Sequence, residues 1–563
     1  MSYEFGPFRL DDDKQLLWRG TEVVPLTPKA LAVLRLLVRK GGDVATRREL
    51  LAEVWPDAVV EESNLTVTVG MLRRALGSQP SGRSYVETVP RRGYRFGGIV
   101  TGPPAAPVSL AVLPLQCMGP DVDPDLGVML ADALIGRLTA ATDVLIRPTG
   151  AVLSFAEVRR TPLEAAAELR VDAVIDGLVQ RESGRLRVSL QLVPASARFK
   201  PWAGSFDAPL TGLFELQDTL AERIGDALAL HLAGAPPAAK RRLPKPEAYE
   251  AYLRGRYFWV RLLPRDIGEA LACYGEACRL DPEFAAPHAG LADVYQLFPF
   301  AALMEPRKAW DLAAECAERA LAHDPDLAEA HLSLGWTILF RDWDWDAARV
   351  RLDRALALRP RTAFAHLWKG LFLLARGERG EAAHALGRAR DLDPLSAFGL
   401  FFSGIERGAA GDKEGQLELT RRAVQLRPEH LLSHWSLGEA CLGAGLAAEA
   451  EAAHRRAVEL SSDGPVMKSA LASTLATIGK AEEARSLLAE MEAVAEGTPG
   501  SAYQRGAVLA ALGQTSPALD RLEEAAEARE PWVVFLGIDP TLAPLRDEPR
   551  FRALAAKVLA GPA

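Results

Sequence analysis

"SNLTVTVGMLRRAL", Ser63–Leu76, can be read in two ways. Its centre, Leu65-Thr66-Val67-Thr68-Val69, alternates apolar and polar side chains, which is the period of a half-buried strand. Leu65, Val69, Leu72 and Leu76 instead recur at helical spacing, a stripe sustained over about three turns. The longer match prevails and predicts a helix capped by Ser63 or Asn64. Val67, Gly70, Met71 and Arg74 then face outward, flanked by Thr66 and Arg73. Plain solvent gives no reason to set valine and methionine beside two arginines. The major groove of a duplex does: small apolar tips touch thymine methyls, and arginines reach phosphates or guanines.

The flanking sequence supports this helix. "YEFGPFRL", "QLLWRG" and "EVVPL" are short alternating segments that predict a small antiparallel sheet. "LTPKALAVLRLLVRKGG" predicts a helix with Thr27 as cap and Pro28 in its first turn, stopped at Gly41-Gly42. "ATRRELLAEVW" predicts a second, with Thr46 and Glu49 spaced as a capping box. Downstream, "SYVETV", "PRRG" and "YRFGGIV" read as strand, tight turn and strand, a hairpin carrying Arg91, Arg92 and Arg95.

Together these pieces resemble the OmpR/PhoB-type winged-helix DNA-binding domain over residues 3–100, most distinctively at "TVPRRGYRF". The resemblance is to the CadC-like arrangement, with the winged helix first, but without a membrane helix after it. It implies double-stranded DNA as partner. It places Arg47 and Trp55 at phosphate-contacting positions, Val67 and Arg73 on the recognition helix, and Thr88 on the wing strand. Gly70 and Met71 stand where better-known relatives carry arginines, and Pro90 replaces a wing arginine, with Arg91 and Arg92 beside it. The predicted DNA-binding set is Arg47, Trp55, Asn64, Thr66, Val67, Met71, Arg73, Arg74, Thr88, Arg91, Arg92 and Arg95.

Charge follows the same division. Residues 1–100 hold 15 Lys/Arg against 12 Asp/Glu, a net +3, which leaves −11 of the total −8 on the remainder. A basic first segment on an acidic body suits contact with a polyanion through that segment alone.

Two Pro-rich stretches, Thr101–Pro107 and Gly234–Pro246, divide the chain into three regions. The middle region, 108–233, alternates strand and helix signals. "SLAVLPLQ", "DVLIRP", "VDAVIDGLVQRES" and "RLRVSLQLVPA" read as strands. "GVMLADALIGRLTAA", "TPLEAAAELR" (Thr161 cap, Pro162) and "LFELQDTLAERIGDALALHL" read as helices. This predicts a small α/β domain, which resembles the TolB-N/FlgO-like domains.

The last region repeats. Ala355, Ala389, Ala423 and Ala457 stand 34 apart, as do Gly370, Gly404 and Gly438, and Pro360, Pro394 and Pro428. That is the tetratricopeptide (TPR) period of helix–turn–helix units, about seven or eight of them across 246–530. A longer turn is expected near "FPFAALMEPRK", and a capping helix segment over 531–563. Such units stack into a solenoid with a groove for a protein or peptide. Trp336, Trp368 and Trp435 fall on the first helices of successive units, as groove lining or, preferably, as core. The fold class expected is therefore multidomain α+β: winged helix-turn-helix, small α/β domain, all-α TPR solenoid.

Signals for chemistry are sparse. No phosphate-loop motif occurs; "GSQPSGR" lacks its lysine. All nine histidines lie beyond residue 230, and His430 and His434 could share a metal only with a third ligand that the sequence does not supply. The five scattered cysteines read as reduced thiols of a cytoplasmic protein. No long apolar run predicts a membrane span. The expectation is a bacterial, non-enzymatic transcription regulator without cofactor or metal, dimeric on DNA. The alternative is a TPR interaction scaffold whose winged helix binds protein rather than DNA. A third reading is an enzyme seated in the middle domain.

Overall fold

The computed structural model describes residues 2–11, 16–20, 22–40, 44–55, 62–79, 84–90, 92–98, 108–119, 122–141, 144–158, 160–182, 185–196, 199–209, 219–220, 223–224, 244–261, 264–495 and 501–561. Both Pro-rich stretches fall largely outside these residues, as do Arg91, the Gly41-Gly42 stop and most of the helix expected over 213–232. The chain forms two compact units, Met1–Pro107 and Val108–Ala563.

The first unit opens with β1 (Ser2–Phe5), β2 (Phe8–Asp11), β3 (Leu16–Arg19) and β4 (Glu22–Val24), an antiparallel sheet in sequential order. Three helices follow: α1 (Pro28–Arg39), α2 (Arg47–Val54) and α3 (Glu62–Leu76). Thr27 caps α1, accepting from the Ala30 N–H, and Pro28 occupies its first turn. Thr46 and Glu49 form a reciprocal capping box on α2. Lys40, then the Thr46 N–H and hydroxyl, hold the Glu49 carboxyl down to about 2.

A three-stranded sheet, β5 (Ala45–Thr46), β7 (Gly93–Phe96) and β6 (Val86–Val89) in that order, completes the unit. The sequence reading lacked β5. Gly93 makes its pairing possible: a Cβ there would lie 2.0 Å from the Ala45 carbonyl oxygen. The core joins Phe5, Phe8, Tyr85 and Phe96 of the sheets to Leu34, Leu37, Leu65 and Leu72 of the helices.

The second unit begins with a six-stranded mixed sheet. β8 (Ser109–Val112), β10 (Leu145–Ile146) and β11 (Ala173–Glu182) run parallel. β9 (Gln116–Met118) also pairs with β11 in parallel, while β12 (Arg185–Pro194) and β13 (Trp202–Pro209) are antiparallel. Helices at Leu126–Ala141 and Pro162–Leu169 cover it, the latter carrying the expected Thr161 cap and Pro162. β13 and two one-turn helices, Thr149–Val152 and Ser154–Glu157, had not been read from the sequence.

Among the described residues eight helix pairs follow, from Pro246–Arg261 with Pro264–Leu280 to Ala502–Ala511 with Thr515–Glu527. Small residues let paired helices touch: a Cβ on Gly370 would meet Leu386 Cγ at 2.6 Å. The turn between paired helices carries Gly377, Gly411, Gly445, Gly479 and Gly513 at φ from +74° to +88°, a left-handed position recurring at the repeat interval. The extra length near "FPFAALMEPRK" lies mostly in longer helices, Ala285–Phe300 and Pro306–His323, rather than in the connecting turn.

Sheet and helix pairs share one core, which runs from Leu110 and Val174 through Tyr249, Leu253 and Tyr257. Buried Asp132 accepts from Thr149 and from both Nε and Nη2 of Arg256, on the first repeat helix. Buried Arg147 donates to the carbonyls of Leu169, Arg170 and Leu392, the last in the fourth pair. The second Pro-rich stretch therefore separates no independent bodies. Buried pairs of this kind cost about 3–5 kcal/mol to break from one side.

The solenoid also returns on itself. After the eighth pair, 3₁₀ turns at Pro531–Phe535 and Pro540–Leu545 lead to a helix at Pro549–Ala560. Trp310 Nε1 donates to the Arg529 carbonyl at 2.9 Å and Trp345 Nε1 to the Val558 carbonyl at 2.8 Å. The tail thus covers the eighth pair, where Arg550 meets Asp520 and Glu523, and also reaches the second and third. Its Trp532 and Phe535 enter an aromatic chain with Phe300, Phe340 and Trp435. The concave side expected as a groove is a partly open cavity of about 4290 Å³, lined by the helix pairs, the returning tail and part of the sheet-bearing segment. Trp336 is buried, with its ring 4.3 Å from that of Trp368 at a tilt of 56°, so it serves the core rather than the groove.

Candidate nucleic-acid interface

The face of α3 is set by its buried stripe. Leu65, Val69, Leu72 and Leu76 are buried, which turns Val67 and Met71 outward, 55% and 39% exposed. The helix starts at Glu62, so neither Ser63 nor Asn64 is the boundary residue expected; both lie in its first turn. Thr68, which the strand reading would have paired, is buried and donates to the Asn64 carbonyl at 2.8 Å. Asn64, Thr66 and Arg74 are exposed beside Val67 and Met71. Val67 and Met71 stand one helical turn apart, so the outer face of α3 presents two adjacent apolar tips beside the Arg74 guanidinium.

Arg73 behaves differently from its neighbours. Its Nε donates to the Val86 carbonyl at 2.8 Å and its Nη2 to the Thr88 hydroxyl at 2.8 Å. Two residues expected as separate contacts are thus one brace that joins α3 to the wing strand β6. Arg74 Nε reaches back to the Gly70 carbonyl at 3.4 Å and keeps its guanidinium at the surface.

In the wing, the strands pair from Val86↔Phe96 to Val89↔Gly93, and the Arg92 N–H closes the turn on the Val89 carbonyl at 3.1 Å. Thr88, Arg92 and Arg95 are exposed. Arg95 pairs across the strands with Glu87 at 2.7 Å, which offsets part of its charge. Arg47, at the start of α2, is held at the wing by its backbone: its N–H donates to the Arg92 carbonyl at 3.4 Å. Trp55 is half-buried at the end of α2, with Lys29 Nζ 5.7 Å from its ring. Lys29 also donates to the Val54 carbonyl at 2.7 Å, and Arg19 to the Ala75 carbonyl at the end of α3 at 2.9 Å. Neither cation stood out in the sequence, because each acts on a carbonyl distant in the chain.

Among the described residues no such convergence appears for the histidines. His288, His331, His366 and His434 each place Nε2 on the carbonyl of a proline six residues earlier, at 2.8–2.9 Å, which satisfies an acceptor in the turn that precedes the helix. His430 engages Ser433 through Nδ1 at 2.8 Å, so the His430–His434 pair is a local structural arrangement. Among the described residues no group of three His, Cys, Asp or Glu side chains is placed to hold a metal. Burial pushes the Cys278 thiol up to about 12 and Cys316 to about 11, away from thiolate chemistry. Among the described residues no helix is long and apolar enough to cross a membrane.

Residues 20–96 match the family described as "Transcriptional regulatory protein, C terminal". The first unit is a winged helix of that class. The chain is 28% identical over 342 residues to the transcriptional regulator HilA of Salmonella typhimurium, covering 59% of this chain and 60% of that protein. It is 35% identical over 94 residues to the KDP operon transcriptional regulatory protein KdpE of Escherichia coli, covering 16% and 42%. A third relative is the putative adenylate cyclase 3 of Rhizobium meliloti, 29% identical over 196 residues, covering 34% and 32%. The chain spans less than two thirds of the length of each of these relatives.

Proposed function

We propose that this protein is a transcription regulator that binds duplex DNA through α3 and the β6–β7 wing. The proposal rests on one observation above the others: an α3 face of Thr66, Val67, Met71 and Arg74 beside an arginine-bearing wing, inside a segment that matches a transcriptional regulatory family. α3 lies in the major groove, and Arg47, Arg74, Arg91 and Arg92 engage phosphates. Thr88 and Arg73 set the angle between helix and wing. Asn64 and Thr66 lie within reach of base edges or phosphates at the helix start, and Arg95 supports the wing. Two copies bind repeated half-sites, in the cytoplasm where the DNA is. The second unit receives the signal, a protein or small ligand, and has no catalytic role of its own.

Mapping of genomic sites bound by the full chain, with Arg92→Ala and Met71→Arg as comparisons, tests this reading. A discrete set of sites is expected, which Met71→Arg redistributes and Arg92→Ala leaves in place but occupies more weakly throughout. A chain that fails to retain any duplex at low salt would overturn it and leave the interaction-scaffold alternative.

A further inference from the structure

The cavity that the helix pairs and the returning tail line contains an unusual corner. Trp435, Ser436 and Glu439 come from the first helix of the sixth pair, Gln504 from the eighth, and Trp532 and Asp539 from the returning tail; all line the cavity. The two indoles stand 5.5 Å apart at 78°, forming adjoining walls, with Phe401 5.6 Å behind Trp435.

Among the described residues, the two carboxyls here have no cationic partner. Glu439 keeps 23% of its side-chain surface accessible, and that surface belongs to the cavity. Its ion-pair neighbour among the described residues is His454, 3.6 Å away and fully buried. His454 supplies no charge: Nε2 meets the Trp435 carbonyl, Nδ1 meets the Thr474 hydroxyl, and burial lowers its pKa to about 4. Asp539 accepts from the Tyr503 hydroxyl and the Thr541 N–H. Arg546 donates to the backbone carbonyl of Asp539, not to its carboxylate. Burial and then the Asp539 charge push Glu439 up to about 7, against a hydrogen bond from the Trp435 indole that favours the carboxylate. Ser436 and Gln504 are each only 3% exposed, yet the Ser436 hydroxyl and the Gln504 amide oxygen make no hydrogen bond within the protein. Neither does the Trp532 indole N–H. Glu439 thus lines the cavity beside two indoles with no cation among its described partners, the position a cationic ligand would fill.

We propose that this corner binds a small organic cation, an alkylammonium ion, with its charge on Glu439 and its carbon body against Trp435 and Trp532. Aromatic faces attract ammonium groups within about 6 Å of the ring centroid, most strongly where water is excluded. The tail that closes the solenoid supplies Trp532 and Asp539, so the ligand bridges the sixth pair and the tail and favours the closed ring. The inference gives the signal of the regulator a chemical class, but it does not depend on DNA binding.

Isothermal titration of the full chain without DNA tests it. Choline is compared with its uncharged carbon counterpart 3,3-dimethyl-1-butanol, and butylammonium with 1-butanol. At least one cation is expected to bind about tenfold or more tightly than its neutral counterpart, and Glu439→Gln is expected to abolish that preference. The proposal is overturned if neither cation outbinds its counterpart, a result read on the unaltered protein whether or not the variant folds. It is equally overturned if folded Glu439→Gln keeps the full preference. Because no duplex is present, either failure leaves the DNA reading untouched.

Discussion

Arg73 Nη2 donates to the Thr88 hydroxyl at 2.8 Å while its Nε holds the Val86 carbonyl, so one side chain fixes the recognition helix to the wing. This makes Arg73 a positioning residue. Arg73→Ala and Thr88→Val are each expected to weaken DNA binding, with losses that do not add in the double variant. Arg73→Lys should fail to rescue, since an ammonium cannot reproduce the planar two-donor fork. The discriminating readout is the slope of log affinity against log salt. It stays constant for a brace and falls by about 0.9 for a lost phosphate contact.

Arg92 gives the opposite expectation. It is exposed at the wing turn, and its carbonyl accepts from the start of α2, which gathers Arg47 and Arg92 in one place. Arg91→Ala with Arg92→Ala should weaken binding across all sequences and flatten the salt slope by about 1.8. Filter retention over a salt series measures it; an unchanged slope would rule the wing out as a phosphate clamp.

On the proposed reading, Met71 and Val67 determine what α3 can read. Both present apolar tips, and the nearest arginine on the wing side is committed to β6. Selection from random duplexes should therefore favour thymine at the steps beneath α3. Met71→Arg should add a guanine preference at one step, worth about 1–3 kcal/mol. Retention of the unaltered consensus by Met71→Arg would place α3 elsewhere on the duplex.

The winged helix was legible in the sequence because its signals are local: the Thr27 and Thr46 caps, the four-residue stripe of α3 and the arginine turn. The helix pairs were legible because the repeat makes them redundant. Their glycine turns carried a further signal, since Gly377, Gly411, Gly445, Gly479 and Gly513 keep the same interval with positive φ. The rest depends on pairings distant in the chain. Strand β5 exists only because Gly93 admits Ala45, and the Arg73 brace needs β6 to arrive beside α3. Likewise, "DPTLAPLRDEPRFRALAAKVL" announces a terminal helix but not that Val558 will meet Trp345. Proline-to-histidine spacing was readable, yet its purpose became visible only once each imidazole reached a carbonyl.

Closure of the ring is expected to contribute measurably to stability. Trp345→Phe removes the indole donor to the Val558 carbonyl in a buried setting, which should cost about 1–3 kcal/mol. Trp310→Phe does the same at Arg529. If the tail holds the ring as one cooperative element, each variant should also increase proteolysis of the tail under native conditions. Equal stability and unchanged proteolysis would mean the contacts are incidental.

Glu439 ties stability to pH. Burial, and after it the Asp539 charge, raise its carboxyl to about 7, above the value near 4.3 expected in an unfolded chain. A folded-state pKa that is raised in this way favours the native state below the unfolded value. That advantage is lost as pH rises through about 7. His430 and His454, each lowered to about 4 chiefly by burial, act in the other direction: their contribution is present above about pH 6.5 and lost as pH falls toward 4. The difference between the unaltered chain and Glu439→Gln cancels the histidines and isolates the carboxyl. Without added amine, the variant should match the parent near pH 4.5 and exceed it by about 2–3 kcal/mol at pH 8. Urea melts at the two pH values measure this, and saturating alkylammonium should shrink the gap at pH 8 by stabilising only the parent. A pH-independent difference would show that the carboxyl ionises freely in the folded chain.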